Sequence, residues 1–238
     1  MTGKKKAETY LFKYDVKIEN KFGKFFVPKN SDMILTLSTK FESDLIQYFE
    51  VKNDAIFLDI GANAGKYSTY IALNFKPKMV YSFEPSPTTY KLLTENISLN
   101  NVNNVRTYNI GLSDSQNALL FANSKYKTGL SHIVSESEKV DSNEYNLEKV
   151  LVNTLDNFII EQNIDIKLID FIKIDVEGHE LQVLKGASNL LKQLISKSRI
   201  IIEASKETEK VKPLLDLMTL SYFEFDKLNE EYYLFTKL

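Results

Sequence analysis

"AIFLDIGANAG", residues 55–65, runs from an apolar stretch straight into a turn that contains two glycines. Ile56, Phe57, Leu58 and Ile60 read as a strand buried on both faces, as in parallel sheets covered by helices. "AGKYSTYIALNF" (64–75) then reads as a helix. Glycines permit the tight turn and a close approach to the backbone, and the next helix offers free N–H groups at its start. The spacing is not GxGxxG, so the dinucleotide fingerprint is absent.

The same alternation continues down the chain. "MVYSFE" (79–84) is a second strand, and "SPTTYKLLTENISLN" (86–100) a helix with Ser86 as N-cap and Pro87 at its first position. "VRTYNIGL" (105–112) is a third strand, and "ALLFAN" (118–123) reads as an extra edge strand. Residues 123–149 are polar and irregular, a candidate active-site loop in which Thr128 to Ser131 could close the site. A helix at "NTLDNFII" (153–160) leads to a fourth strand, "LIDFIKID" (168–175). "ELQVLKGASNLLKQL" (180–194) reads as one helix and "RIIIEA" (199–204) as a fifth strand. "KVKPLLDLM" (210–218) is helical, with its regular part placed after Pro213. "YFEFDKL" and "EYYLFTK" close the chain as antiparallel strands around a short turn. Upstream, Tyr14 to Ile18 and Lys24 to Val27 suggest a hairpin around "ENKFG", and residues 41–50 a short helix with Leu45, Tyr48 and Phe49 on one face. Strands alternating with helices define an α/β fold with a mostly parallel sheet covered on both faces. The boundaries that follow are an N-terminal hairpin-and-helix appendage at 1–50 and one domain at 51–238.

Composition narrows the function. The chain has 238 residues, 43% of them hydrophobic and 26% charged, as in a folded globular protein. A net charge of −2 argues against a nucleic-acid binder, and the Lys4-Lys5-Lys6 run reads as a solvated terminus. The absence of cysteine excludes disulfides and thiolate chemistry. No apolar stretch is long enough to span a membrane and no signal-peptide pattern opens the sequence, so a cytoplasmic location is expected. Nothing in the sequence opposes a homo-oligomer.

Ligands of such sheets bind at the carboxyl ends of the strands. Asp59, Gly61, Asn63 and Gly65 mark the first such end. Glu84, followed by Pro85, marks the second, placed to accept hydrogen bonds from ribose hydroxyls. Gly111, Leu112 and Ser113 mark the third, with Asp114 as a loop cap. The fourth ends in "KIDVEGHE" (173–180), which crowds three acids and one of only two histidines behind an apolar run. Asp175 at a buried strand end is costly without a partner, and it reads as a residue at the cofactor crevice that could orient the reacting group or His179. Glu177 reads either as a ligand for acceptor hydroxyls or as an acceptor for loop N–H groups. His179 reads as a proton carrier near neutral pH or as a hydrogen-bonded structural residue. Glu180 suits the first turn of its helix. Glu203 ends the fifth strand at the same crevice. Asp175, Glu177 and Glu203 could converge on magnesium, but their spacing is not diagnostic and no metal is assigned. His132, in the long loop, reads as a surface residue.

"FLDIGANAGKYS", "FEPSP", "NISLNNVNNV", "GLSD", "NTLDNFI", "IKIDVEGHELQVLKGA" and "IIIEAS", in this order, resemble the FkbM family of S-adenosylmethionine-dependent methyltransferases. The resemblance implies the class I methyltransferase fold, a Rossmann-like, seven-stranded, mostly parallel sheet. It also implies S-adenosyl-L-methionine as cofactor and O-methylation of a hydroxyl, on a sugar, a glycan or a secondary metabolite. The contrasting reading is a catalytically silent binding subunit that keeps the fold. The intact motifs argue against it. A dehydrogenase is opposed by the missing dinucleotide fingerprint and by the terminal strand pair.

Overall fold

The structure, a computed structural model, describes residues 13–29, 31–125, 127–135, 138–204 and 208–238. The Lys4-Lys5-Lys6 run lies outside the described residues. The hairpin expected upstream is present as β1 (Val16–Asn20) and β2 (Gly23–Val27), paired antiparallel. One helical turn, α1 (Met33–Thr36), follows. The helix expected at 41–50 shrinks to a 3-10 turn at Ile46–Tyr48. Glu42 has φ of +53°, a left-handed conformation that a helix cannot contain.

The core then alternates β3 (Ile56–Ile60), α2 (Lys66–Asn74), β4 (Met79–Phe83), α3 (Pro87–Leu99) and β5 (Val105–Tyr108). The third predicted strand breaks after Tyr108. Its end, β6 (Gly111–Leu112), joins a separate four-stranded sheet with β7 (Asn117–Ser124), β8 (His132–Ile133) and β9 (Tyr145–Asn153). Thus the polar stretch at 123–149 is not all loop: β9 pairs with the whole of β7, from Asn117 opposite Val152 to Ser124 opposite Tyr145. Its period-two signal is muted because only Val150 and Val152 bury apolar side chains next to Lys149 and Leu151 on the open face. The "ALLFAN" strand is also not an edge, since β7 lies between β9 and β8.

The second half supplies α4 (Leu155–Glu161), β10 (Ile169–Ile174), α5 (Glu180–Lys185), α6 (Ser188–Gln193), β11 (Arg199–Glu203), α7 (Thr208–Leu220), β12 (Phe223–Lys227) and β13 (Tyr232–Lys237). The helix read at 180–194 is therefore two helices, broken at Gly186 and Ala187. A Cβ on Gly186 would lie 1.9 Å from the carbonyl oxygen of Ser113, so the chain passes too close there for any side chain. Helix α7 continues through Pro213 rather than starting after it, and the loss of one backbone bond is tolerated.

The main sheet has the order β12-β13-β11-β10-β3-β4-β5. All neighbours from β5 to β11 are parallel, and β13 runs antiparallel to both β11 and β12. The chain moves from β3 outward to β5 and then returns to β10, so direction reverses between β3 and β10. That reversal opens a crevice at their carboxyl ends. Side chains alternate across the sheet. Leu58, Ile60, Ile172, Ile174, Ile200 and Ile202 pack under α4 to α7. Phe57, Phe171 and Ile201 pack on the other face with Phe49, Tyr67 and Ile71. Each fully buried side chain of this kind contributes roughly 1.5–3 kcal/mol. The hairpin docks beside α2 and α3, where Phe22, Phe25, Val27, Met33 and Leu37 bury against Ala64 and Leu92. Asn96 fixes it: its side chain accepts from Phe26 N at 2.7 Å and donates to Ala64 O at 2.9 Å.

Candidate active site

The turn after β3 follows from its backbone. Gly61, Asn63 and Gly65 have φ of +77°, +48° and +85°. A Cβ on Gly61 would lie 1.7 Å from the carbonyl oxygen of Asp175, so only glycine lets β3 and β10 close together at the crevice. Gly61 and Ala62 donate their N–H groups to Phe83 O at 3.1 and 2.9 Å, which fixes the loop to the end of β4. Asn63 N then donates to Glu84 Oε2, and Ser86 N to Glu84 Oε1, each at 3.0 Å. Burial pushes the Glu84 carboxyl up to about 7, against the pull of these two backbone donors. Each oxygen keeps room for another donor. The buried Oδ1 of Asn63 has no hydrogen-bond partner among the described residues.

Both residues line a cavity of about 460 Å³, in the range of small-molecule sites. Gly61, Pro85, Gly111 and Leu112 line it too, and so do Asp175, Glu177, His179 and Glu203. Asp59, Gly65 and Ser113 do not. Asp59 is fully buried behind the loop and accepts from Ser68 Oγ at 2.5 Å. Ser113 is buried and bonds the His179 ring instead.

The sheet register explains what holds Asp175. Lys173 pairs with Asp59 across β10 and β3, and Asp59 with Ser82 across β3 and β4, so one polar row crosses three buried strands. Ser68 bridges Asp59 and Ser82. Period two places Asp175 on the same face as Lys173. The Lys173 ammonium, 3% exposed, donates to Asp175 Oδ2 at 2.9 Å and to Gly61 O at 3.4 Å, and lies 3.8 Å from Asp59 Oδ1. Burial pushes the Asp175 carboxyl up, but the Lys173 charge and a hydrogen bond from Glu203 outweigh it, so the group stays below the usual carboxylate range. Glu203 is pushed up to about 11 by burial, the Asp175 charge and that shared hydrogen bond. At neutral pH the pair is one carboxylate and one carboxylic acid.

In the "VEGHE" turn, Glu180 does more than meet a helix dipole. Its Oε1 accepts from Gly178 N at 2.9 Å and Val176 N at 3.3 Å, which orders the loop. Glu177, with φ of +54°, is an exposed residue whose carboxyl lines the cavity, where partial desolvation and the charges of Asp175 and Glu180 push it up to about 8. His179 stands at the start of α5 with Nε2 2.9 Å from Ser113 Oγ. Burial lowers its pKa below 6.5, only partly opposed by Asp114, so the ring is neutral at pH 7. Gly129, Leu130 and Ser131 of the second sheet's loop also reach the cavity. His132 does not, and pairs with Glu138 at 2.7 Å.

Several wall residues escaped the sequence reading. Glu42 accepts from Tyr67 Oη and Tyr232 Oη, each at 2.5 Å, and lies 3.7 Å from the Lys66 ammonium. Lys66, 6% exposed, donates to Phe41 O at 2.8 Å. The N-terminal appendage is therefore part of the site. Lys173 had a local signal, a lysine inside the apolar run "FIKI". Glu42 had none, since its partners lie far away in sequence.

The family profile described as "Methyltransferase FkbM domain" matches residues 59–231. The chain belongs to the FkbM methyltransferase family. Among curated relatives, Hexuronic acid methyltransferase AglP of Haloferax volcanii is 30% identical over 192 residues, covering 80% of this chain and 74% of the relative. Methyltransferase sdnD of Sordaria araneosa is 26% identical, covering 70% and 72%. The crystal structure of Methyltransferase FkbM from Methylobacillus flagellatus matches with a TM-score of 0.55 at 16% identity, covering 80% of this chain and 45% of that one. The chain thus spans less than half the length of that solved protein, and the likeness between them is one of fold. It is the class I methyltransferase fold, and the seven-stranded sheet with its antiparallel penultimate partner carries it. No helix among the described residues is long and apolar enough to cross a membrane.

Proposed function

We propose that the protein moves the methyl group of S-adenosylmethionine to a hydroxyl of a sugar, a glycan or a related small molecule. The observation that carries this reading is a single cavity joining Glu84 and the Gly61 to Gly65 turn to Asp175, Glu177, His179 and Glu203. Membership of the FkbM family supports methyl transfer, and the name of AglP favours a sugar acid as acceptor. The residues fit the cofactor. Glu84 keeps acceptor capacity for ribose hydroxyls, Asn63 Oδ1 is free to accept a donor, and Gly111 and Leu112 offer a small apolar shelf for a base. S-adenosylmethionine, when bound, supplies an electrophilic methyl group on its sulfonium.

The chain's own residues then handle the acceptor. Asp175, held ionised by Lys173, accepts a hydrogen bond from the reacting hydroxyl and orients it. Glu177 and the protonated Glu203 bond neighbouring hydroxyls. His179 takes the acceptor's proton through Nδ1 while Nε2–H stays on Ser113, and burial keeps the ring neutral for that task.

The test is transfer of label from methyl-labelled S-adenosylmethionine to a panel of hydroxylated acceptors that includes uronate-ended oligosaccharides. Label should enter the acceptor. His179→Ala should lose roughly 10²–10⁴ in rate and the wild-type limb on the acid side. Binding of S-adenosylhomocysteine with no transfer to any acceptor would make the protein a binding subunit. Near-normal turnover of His179→Ala with an unchanged pH profile would move the base role to Asp175.

A further inference from the structure

We propose that Lys66 and Glu42 together read the amino-acid end of the cofactor, Lys66 holding its carboxylate and Glu42 its ammonium. This rests on the reading that S-adenosylmethionine is the cofactor. The two residues line the same cavity as Glu84 and Gly61. Lys66 follows the glycine turn directly, three positions after Asn63, whose N–H is bonded to Glu84. One short loop thus joins the candidate ribose ligand to a buried cation.

That cation is under-bonded. An ammonium has three donors. The Lys66 ammonium spends one on Phe41 O at 2.8 Å, while Glu42 Oε2, at 3.7 Å, is beyond hydrogen-bond distance. The rings of Phe22 and Phe41, with centroids 4.7 and 4.9 Å from Nζ, cover it without accepting a conventional hydrogen bond. Burial accordingly lowers its pKa to about 8, so a second anion would be welcome there. Glu42 is held from behind by Tyr67 and Tyr232, one hydroxyl on each oxygen, and a carboxylate can take about four donors in all. A fixed cation beside a fixed anion is the complement of a group that carries a carboxylate and an ammonium on one carbon, and both sides are neutral in sum. It would also explain why a cation, an anion and a left-handed Glu42 are gathered against one cavity wall.

The alternative is that the pair only clips residues 32–42 to α2. Calorimetry separates the two, with S-adenosylhomocysteine and its decarboxylated analogue, S-adenosyl-3-thiopropylamine, as probes. The wild-type protein should bind the first at least about tenfold more tightly. Lys66→Met should lose that preference, with affinity for the decarboxylated ligand within about twofold of wild type. Glu42→Gln should weaken both ligands, since both keep the ammonium, and spare the deaminated analogue. Equal wild-type affinity for the two probes would overturn the assignment and requires no variant to fold. So would a Lys66→Met protein that weakens both probes equally. Wild-type protein that binds neither probe would instead sink the cofactor reading, and this assignment with it.

Discussion

Replacing Lys173 with methionine keeps the volume of the side chain and removes its charge. The ammonium is 3% exposed and serves Asp175 at 2.9 Å, Gly61 O at 3.4 Å and Asp59 at 3.8 Å. Its pKa is raised above 10.5: burial lowers it, but the charges of Asp175 and Asp59 outweigh that, so its contribution is complete below 10.5 and lost only as pH rises beyond. Asp175 is held below 3.8, so its contribution is complete above 3.8 and lost as pH falls below. The pair is therefore at full strength across the neutral range. Removing one partner of a buried ion pair costs roughly 3–5 kcal/mol. Asp59 keeps its bond from Ser68 and already has a raised pKa, so it can take up a proton, and we expect the lower end, about 3 kcal/mol at pH 7. Without the ammonium, the Asp175 pKa should rise, so protonation towards pH 5 should shrink the loss. Urea unfolding at the two pH values measures this, and Lys173→Met/Asp175→Asn should recover part of the stability. A loss below about 1 kcal/mol, or one that is equal at both pH values with no recovery in the double variant, would refute the reasoning.

Glu84→Ala should weaken S-adenosylhomocysteine binding by at least about tenfold in calorimetry, and should also lower the melting temperature, because Asn63 N and Ser86 N lose their acceptor. Because burial holds the Glu84 carboxyl at about 7 and the ionised form accepts more strongly from ribose hydroxyls, wild-type affinity should rise as pH increases through that value, and the variant should lack the rise. An unchanged affinity would remove Glu84 from the cofactor site. Asp175, Glu177 and Glu203 bring carboxyl oxygens within 4.8 Å of one another, yet Lys173 and the proton on Glu203 already offset their charge. Turnover should therefore survive exhaustive EDTA treatment, and a loss that magnesium alone restores would recast the three as metal ligands.

The main sheet was legible because its strands are short apolar runs closed by turn residues, from "AIFLDIG" to "RIIIEA". Ser86 and Pro87 announced α3 correctly, with Ser86 accepting from Thr89 N. The second sheet was not legible. β9 has an open face, and its partner β7 lies more than twenty residues away, so no local pattern reports the pairing. The break at Gly186 was invisible for a related reason: it is imposed by the carbonyl of Ser113, on a different element. At the site, residues at strand ends could be named in advance, because topology alone sends them to the crevice. Whether each reaches the cavity depends on its depth along the strand: Asp59 pairs with Lys173, two residues short of Asp175 on the same face, and stays buried behind the loop.

The polar row across β10, β3 and β4 sets Lys173, Asp59 and Ser82 side by side in the interior of the sheet. A parallel sheet covered on both faces would be more stable, position for position, with aliphatic side chains there. What the row supplies is a fixed point. One ammonium grips the carbonyl of Gly61, at the start of the candidate cofactor loop, and the carboxylate of Asp175, the candidate acceptor ligand. The same Gly61 has no room for a Cβ because the Asp175 carbonyl stands against it. The loop after β3 and the turn after β10 are thus tied at side chain and backbone alike, so neither can shift without the other. A transfer reaction needs its two ligands in register to a fraction of an ångström. Placing both binding loops on one buried cation is a direct way for this sequence to meet that need, at the cost of burying charge in the centre of the sheet.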